Sequence, residues 1–415
     1  MDAATRAGGT STPGRRASGG AGGTSTPGTG VAGGAFAIDG TGDRRRTADS
    51  DQGHQLHTYG WTTEHEAGFG EHAAAGFVPG RIVSQARDSS RAVTAGGALD
   101  VIVQRGFRRA AAGTADYPAV GDWVALEPFP DGSGASLRAV LPRTSAFSRG
   151  QADGGGRLGE QVLAANVDTA LLVAALTRDY NLRRLERYLA LAWASGADPV
   201  IVLNKADLCD DVAARVSQVS AVAGNAPVHH VSALTHDGLT GLLRYLAPGR
   251  TVCLLGSSGV GKSTLANALL GAEVQLVRDV REDDERGRHT TTGRELFVLP
   301  TGALLIDTPG LRSVGLWDAD DGVDATFADI DALAQACRFN DCRHEREPGC
   351  TVQAAIASGD LSASRLESRR KLERELRSAE RRTAPSYADR AESRRFSKMV
   401  RNNGKLAQWK NGVRE

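Results

Sequence analysis

The stretch GSSGVGKST at residues 256–264, entered from the apolar run TVCLL at 251–255 and followed by LANALL at 265–270, decides how this chain is read. It carries two glycines with four residues between them, then lysine, then serine: the P-loop pattern. A buried strand feeds a turn whose amides point inward, and the turn opens into a helix whose positive end faces a phosphate. Gly256 and Gly261 let the backbone come close, while Ser257, Ser258, Gly259, Val260 and Thr264 contribute the amide cradle. Lys262 supplies a point charge for the β and γ oxygens, and the Ser263 hydroxyl is a natural Mg²⁺ ligand. The bland alternative, a glycine-rich turn that binds nothing, has the flanking strand and helix against it.

Composition bounds what surrounds this loop. The chain has 415 residues, enough for two or three domains, and 40% hydrophobic residues at a formal charge of +1 suit a globular protein without a whole-chain preference for nucleic acid. From residue 362 to 415 there are 16 Lys or Arg against 7 Asp or Glu, so the C-terminal end is locally basic. No apolar run reaches the roughly 18 residues of a membrane span, and the N-terminus lacks a signal-peptide apolar core. Of five cysteines, three cluster late in the chain beside a histidine, which argues for a reducing compartment and a metal site rather than disulfides. A cytoplasmic monomer without membrane contact is expected.

Residues 1–55 are rich in Gly, Ser, Thr, Ala and Pro and repeat GGTSTPG at 8–14 and 22–28, a composition that predicts a disordered tail. From Leu56 the pattern changes. Short β-type runs around Arg81-Ile82-Val83, residues 98–103, 121–126 and 136–141 are separated by Gly, Pro and Asp turns, which predicts a small antiparallel barrel. Arg105, Arg108 and Arg109 beside Phe107 could face a nucleic-acid backbone and stack a base, or could be a solvated rim.

Next come continuous apolar strands alternating with amphipathic helices, the signature of a parallel sheet covered on both faces. ALLVAAL fills 170–176, and Leu182, Leu185, Leu189 and Trp193 share a helical face. Asn204-Lys205-Ala206-Asp207 then follows the apolar run 199–203, at the strand end where such sheets bind ligands. It resembles the guanine-reading motif of GTPases. The Asp207 carboxylate would accept from the ring N1–H and the exocyclic amine, Asn204 would brace the P-loop, and Lys205 would lie along the base. Ser232 and Ala233, after another strand, resemble the second base-contacting loop. RHTTT at 288–292 resembles switch I, with Thr291 as its Mg²⁺-sensing threonine, and Asp307 to Gly310 (DTPG) resembles switch II. In ordinary GTPases the P-loop comes first and the base-reading motifs last. Here they precede it, so the chain is circularly permuted.

Cys337, Cys342, His344 and Cys350 form C-x4-C-x-H-x5-C, four ligands suited to a closed tetrahedral structural Zn²⁺ site. Three buried thiols and an unrelated histidine are the alternative.

Together these residues resemble the ribosome small-subunit-dependent GTPase A family. The likeness rests on GDWV at 121–124, EQVLAANVD at 160–168, the permuted motif order, RHTTT and the cysteine-histidine pattern. It implies an OB-fold RNA-binding barrel over 56–150, a permuted α/β P-loop GTPase over 160–318 and a small, α-rich zinc-binding domain over 319–385. A basic extension over 386–415 departs from the common pattern. It further implies binding of GTP and GDP with Mg²⁺, one structural zinc, and GTP hydrolysis stimulated by the small ribosomal subunit and its rRNA during late maturation. A kinase for a small molecule would have no use for NKAD, whereas a GTPase switching a protein partner without touching RNA stays open. The residue after the switch II glycine Gly310 is Leu311, which has no polar group to orient water, so the expected catalytic set is His289 with Lys262 and Thr291.

Overall fold

In the computed structural model, residues 56–86, 89–152, 158–178, 180–271, 294–307 and 319–383 are described, all within one compact unit, Arg46–Glu415. Five strands form the barrel: β1 (Val78–Gln85), β2 (Ser90–Thr94), β3 (Gly97–Ile102), β4 (Trp123–Pro128) and β5 (Ala135–Val140). They run β1-β2-β3-β5-β4, and β4 pairs back onto β1 to close the ring; the β3–β5 pairing is parallel, the rest antiparallel. Side chains alternate across β4. Val124 and Leu126 turn inward to Ile82, Val101 and Leu137. Trp123 and Ala125 turn outward under a cap formed by Leu56, Trp61 and Phe69 around helices α1 (Thr63–Gly68) and α2 (Gly70–Ala74). The sequence reading located β1, β3, β4 and β5 but named neither β2 nor this cap.

A helix, α3 (Arg105–Ala110), lies between β3 and β4. Phe107 sits 6.0 Å from the Tyr117 ring, edge to face, and packs half-buried against the barrel core. Arg105, Arg108 and Arg109 remain exposed. After the barrel, β6 (Ala146–Ala152) and β7 (Leu158–Ala165) form a two-stranded antiparallel ribbon of their own, which straddles the boundary expected at 150.

Strands β8 (Thr169–Ala175), β9 (Asp198–Asn204), β10 (Val228–His230), β11 (Thr251–Leu255), β12 (Arg294–Val298) and β13 (Leu304–Asp307) lie in the order β10-β9-β8-β11-β13-β12, parallel except for β12. Their connections include α4 (Leu182–Ser195), α5 (Val212–Ser220) and α6 (Lys262–Leu270). Ala170 and Leu172 of β8 face the core containing Leu185 and Leu189 of α4; Leu171, Val173 and Ala175 face the core containing Leu265 of α6. Both faces are covered, which is why the strands read as unbroken apolar runs. The chain ends its described part in α7 (Asp320–Thr326), α8 (Ala328–Ala334), α9 (Thr351–Ser358) and α10 (Ala363–Thr383). Among the described residues no helix is long and apolar enough to cross a membrane.

Buried charge joins these parts. Arg81 of β1 is fully enclosed, donating to the carbonyls of Gly121, Tyr59 and Asn166 and, at 2.8 Å, to Thr251 Oγ1 at the foot of β11. Its guanidinium lies 5.0 Å over the Trp123 ring, and burial holds its pKa down to about 10, so it stays charged at neutral pH. On the other side of α4, the buried Glu186 accepts from Arg365 of α10 at 2.9 Å, and Arg365 grips both carboxylate oxygens of Asp329 in α8. Gly322 of α7 lets that helix close on α4: a Cβ there would meet Ala190 O at 2.2 Å.

Asp122, wholly buried before β4, is held by Arg143 through two hydrogen bonds of 2.8 and 2.7 Å. Burial raises the carboxyl above its ordinary range and Arg143 opposes that rise. Arg143→Ala should therefore destabilise the barrel by about 3–5 kcal/mol, the cost of stranding a buried charge. With Arg143 gone, the folded pKa of Asp122 rises further above its unfolded value, so the native state holds the proton more tightly. Stability is then retained at low pH and lost as pH rises, and denaturant titration should show a larger deficit at about pH 8 than at about pH 5. An equal deficit at both would contradict the account.

Candidate nucleotide site and metal centre

The loop after β11 is shaped first by contacts with its own protein. Gly256 has φ 153° and Gly261 φ 92°; a Cβ would meet Val173 O at 2.4 Å in the first case and Asn204 Nδ2 at 2.3 Å in the second. Both glycines are thus required by neighbouring strands as well as by any phosphate. Lys262 opens α6 and folds its Nζ onto Gly256 O (2.7 Å) and Ser257 O (2.5 Å), which holds the charge at the mouth of the loop. Ser263 and Thr264 are exposed in the first turn, where the helix end is positive.

The segment after β9 is fastened to this loop. The buried Asn204 donates from Nδ2 to Val260 O at 2.9 Å and accepts at Oδ1 from Ala233 N at 3.0 Å, so one side chain joins three loops. Lys205 adopts φ 62°, rare for a non-glycine residue, and its Nζ reaches Gly259 O at 2.8 Å. Ala206 N donates to Val231 O at 3.0 Å, and the exposed Asp207 follows with no donor on its carboxylate among the described residues. Ser232 Oγ caps its turn by accepting from Thr235 N at 3.1 Å. Leu208 (65% exposed) and Leu234 (77%) flank this opening as apolar side chains without cover, a feature the sequence reading passed over. In the sheet, β9 is separated from β11 only by β8, so the permuted order still brings the two motifs to one edge.

β13 ends at Asp307 beside β11, with Ile306 in register with Cys253. Gly310, Leu311, His289 and Thr291 lie outside the described residues.

The four expected metal ligands come together, with all donor atoms within 4.8 Å of one another. His344 Nδ1 is 3.6 Å from Cys337 Sγ and 3.5 Å from Cys350 Sγ, and those two sulfurs are 3.9 Å apart. A tetrahedral ion with metal–ligand bonds of about 2.0–2.3 Å needs edges of roughly 3.5–3.8 Å, which the distances among His344, Cys337 and Cys350 nearly match, with Cys342 as the fourth ligand within 4.8 Å. His344 sits at φ 58°, and its carbonyl is held by Arg370 Nη2 (3.0 Å) and Gln353 Nε2 (2.5 Å). Glu347 accepts from the amides of Arg343, Glu345 and Arg346, and these backbone hydrogen bonds bring its carboxyl down to about 2. Burial and the adjoining Cys350 and Cys337 thiols hold Cys342 up, to about 11, despite the His344 amide. A cation at the centre would relieve this crowding of thiols by favouring their ionised forms.

The RsgA GTPase family model matches residues 140–317. The chain is 45% identical over 343 residues to a small ribosomal subunit biogenesis GTPase RsgA of Methanosarcina acetivorans, covering 83% of this chain and 91% of that one. It is 46% identical to the protein of that name in Streptomyces avermitilis, covering 86% and 95%. The crystal structure of YjeQ from Thermotoga maritima superposes with a TM-score of 0.54 at 26% identity, over 72% of this chain and 98% of that one. That of YloQ, a circularly permuted GTPase, superposes with a TM-score of 0.51 at 23% identity and so speaks to the fold alone.

Proposed function

The chain belongs to the RsgA GTPase family, and on that premise we propose that it binds GTP at the loop 256–264 and hydrolyses it during late maturation of the small ribosomal subunit. The observation that carries this reading is Asn204, whose side chain ties the base-reading segment to the phosphate loop and to Ala233 at once. Such a brace is what a ligand spanning both loops would require. Asp207 reads the guanine, Lys205 lies along it, and Ser232 and Ala233 line its edge; the amides of 256–264 and Lys262 hold the phosphates. Mg²⁺ would be held by Ser263 and Thr291, with Asp307 and Gly310 completing the nucleotide-binding set, and when bound it would neutralise charge on the β and γ oxygens. His289 orients the attacking water once the subunit is bound. The Cys337, Cys342, His344 and Cys350 cage holds one structural zinc. We assign RNA contact to the barrel of 56–150 and to the basic surface that runs through α10, while the protein works as a cytoplasmic monomer.

Co-sedimentation of the purified chain with small subunits should give strong binding with a non-hydrolysable GTP analogue and weak binding with GDP. Failure to bind in either state would favour a GTPase that switches a protein partner instead. His289→Ala should keep GTP and subunit binding yet lose the subunit-stimulated turnover; full stimulation in that variant would exclude His289 as the water-positioning group.

A further inference from the structure

The first two turns of α4 carry three arginines whose partners divide them. Arg183 donates to Glu186 Oε1 and to Ser364 of α10, both at 2.5 Å, and Arg187 pairs with Glu375 of α10. Arg184 has a different partner. Its Nη1 reaches 2.9 Å to Ser257 Oγ in the phosphate loop, and among the described residues no carboxylate pairs with it. Asn181 Oδ1 caps the helix on Arg184 N at 3.1 Å, and one residue further on Leu185 and Glu186 are buried in the core and the Arg365 network. The base of Arg184 is therefore fixed by the fold while its side chain is exposed, lining with Arg183 and Arg187 a cleft of about 600 Å³ between α4 and α10.

Arg184 is held at the phosphate loop by a neutral hydroxyl, and since among the described residues no carboxylate claims its charge, the guanidinium is available to an incoming anion. We propose that Arg184 is a catalytic arginine supplied in cis, which with GTP bound turns from Ser257 to an oxygen of the γ-phosphoryl group. This rests on the GTPase reading above. As a water oxygen bonds to the γ phosphorus, the bond to the β–γ bridging oxygen breaks and its electron pair leaves with GDP; the water's proton goes to the released phosphate or to solvent. The Arg184 guanidinium gains from the charge spreading over the γ oxygens.

Three variants at this exposed position separate charge from bracing: Arg184→Ala, Arg184→Lys and Arg184→Gln, where glutamine can still hydrogen-bond Ser257 but has no charge. Each is assayed in the full chain for GDP affinity, for capture of GDP with aluminium fluoride, and for GTP turnover with small subunits. Arg184→Ala and Arg184→Gln should lose about tenfold or more in turnover and in capture of the aluminium fluoride complex, with GDP affinity changed less than about twofold, and lysine should restore part of the loss. Restoration by glutamine, or an equal loss of GDP and of aluminium fluoride complex in Arg184→Ala, would reduce Arg184 to a brace of the loop and overturn the proposal. Wild-type protein that binds GDP but turns over no GTP even with subunits would instead sink the GTPase reading itself.

Discussion

Asp207→Asn is expected to weaken GTP and GDP binding about a hundredfold and to turn the preference of the site toward xanthine nucleotides. The carboxylate stands exposed just beyond β9, on a turn whose three preceding residues are fixed: Asn204 by Val260 O and Ala233 N, Lys205 by its left-handed backbone and Gly259 O, and Ala206 by Val231 O. The position of Asp207 is thus set before any nucleotide arrives, and binding energy is not spent on ordering it. Guanine offers that carboxylate two donors, the ring N1–H and the exocyclic amine. An asparagine can accept from only one of them and sets its own amide hydrogens against the other, at a cost on the order of 2–4 kcal/mol. Xanthine carries a carbonyl where guanine carries the amine, so the asparagine amide gains the acceptor it lacked. Adenine fits neither arrangement. Fluorescent GDP displaced by GTP, XTP and ATP, in wild-type and variant protein, reads all three; ATP competing as well as GTP for the wild-type site would remove the basis for guanine reading.

What the sequence disclosed follows from how local each constraint is. The P-loop, NKAD and the cysteine-histidine set each need fixed residue types at fixed short spacings, so each can be read from a few consecutive residues. The parallel sheet is legible for a related reason, because strands buried on both faces leave unbroken apolar runs. The contacts that hold these parts in place have no such imprint. Glu186 and Arg365 are 179 residues apart, and Arg81 and Thr251 are 170 apart. A buried arginine among carbonyls looks in sequence like any surface arginine. Phe107 is ambiguous for the same reason: its arginine neighbours suggest a stacking platform, and only the fold shows the ring half-buried against Tyr117 and the barrel core. Arg184 was hidden among its neighbours, since RRLER reads as an ordinary solvated helix face until the fold divides its arginines between α10 and the phosphate loop.

Removing the proposed zinc should unfold part of the C-terminal helical region and spare the nucleotide site. A structural zinc held by three thiolates and an imidazole contributes about 10–16 kcal/mol, far more than the short loop it closes can supply by itself. The turn 337–350 contains a left-handed His344 and little apolar side chain, so its shape depends on the ligands and on the hydrogen bonds of Glu347, Arg370 and Gln353. Cys350 is also the cap of α9, accepting from Gln353 N at 3.4 Å, and loss of the metal therefore frees the start of that helix. The damage should stop there. α7 is locked to α4 by the close approach at Gly322, and α10 by Arg365 on Glu186 and Asp329, contacts that contain no metal ligand. Chelation, or Cys342→Ser, should open proteolytic sites between α8 and α9 and lower helicity slightly, while fluorescent GDP binds with unchanged affinity. Protein purified without chelator should carry one zinc per chain by elemental analysis. A chain with no stoichiometric metal, or one that loses GDP binding together with its metal, would show that the cage is not an independent structural clamp.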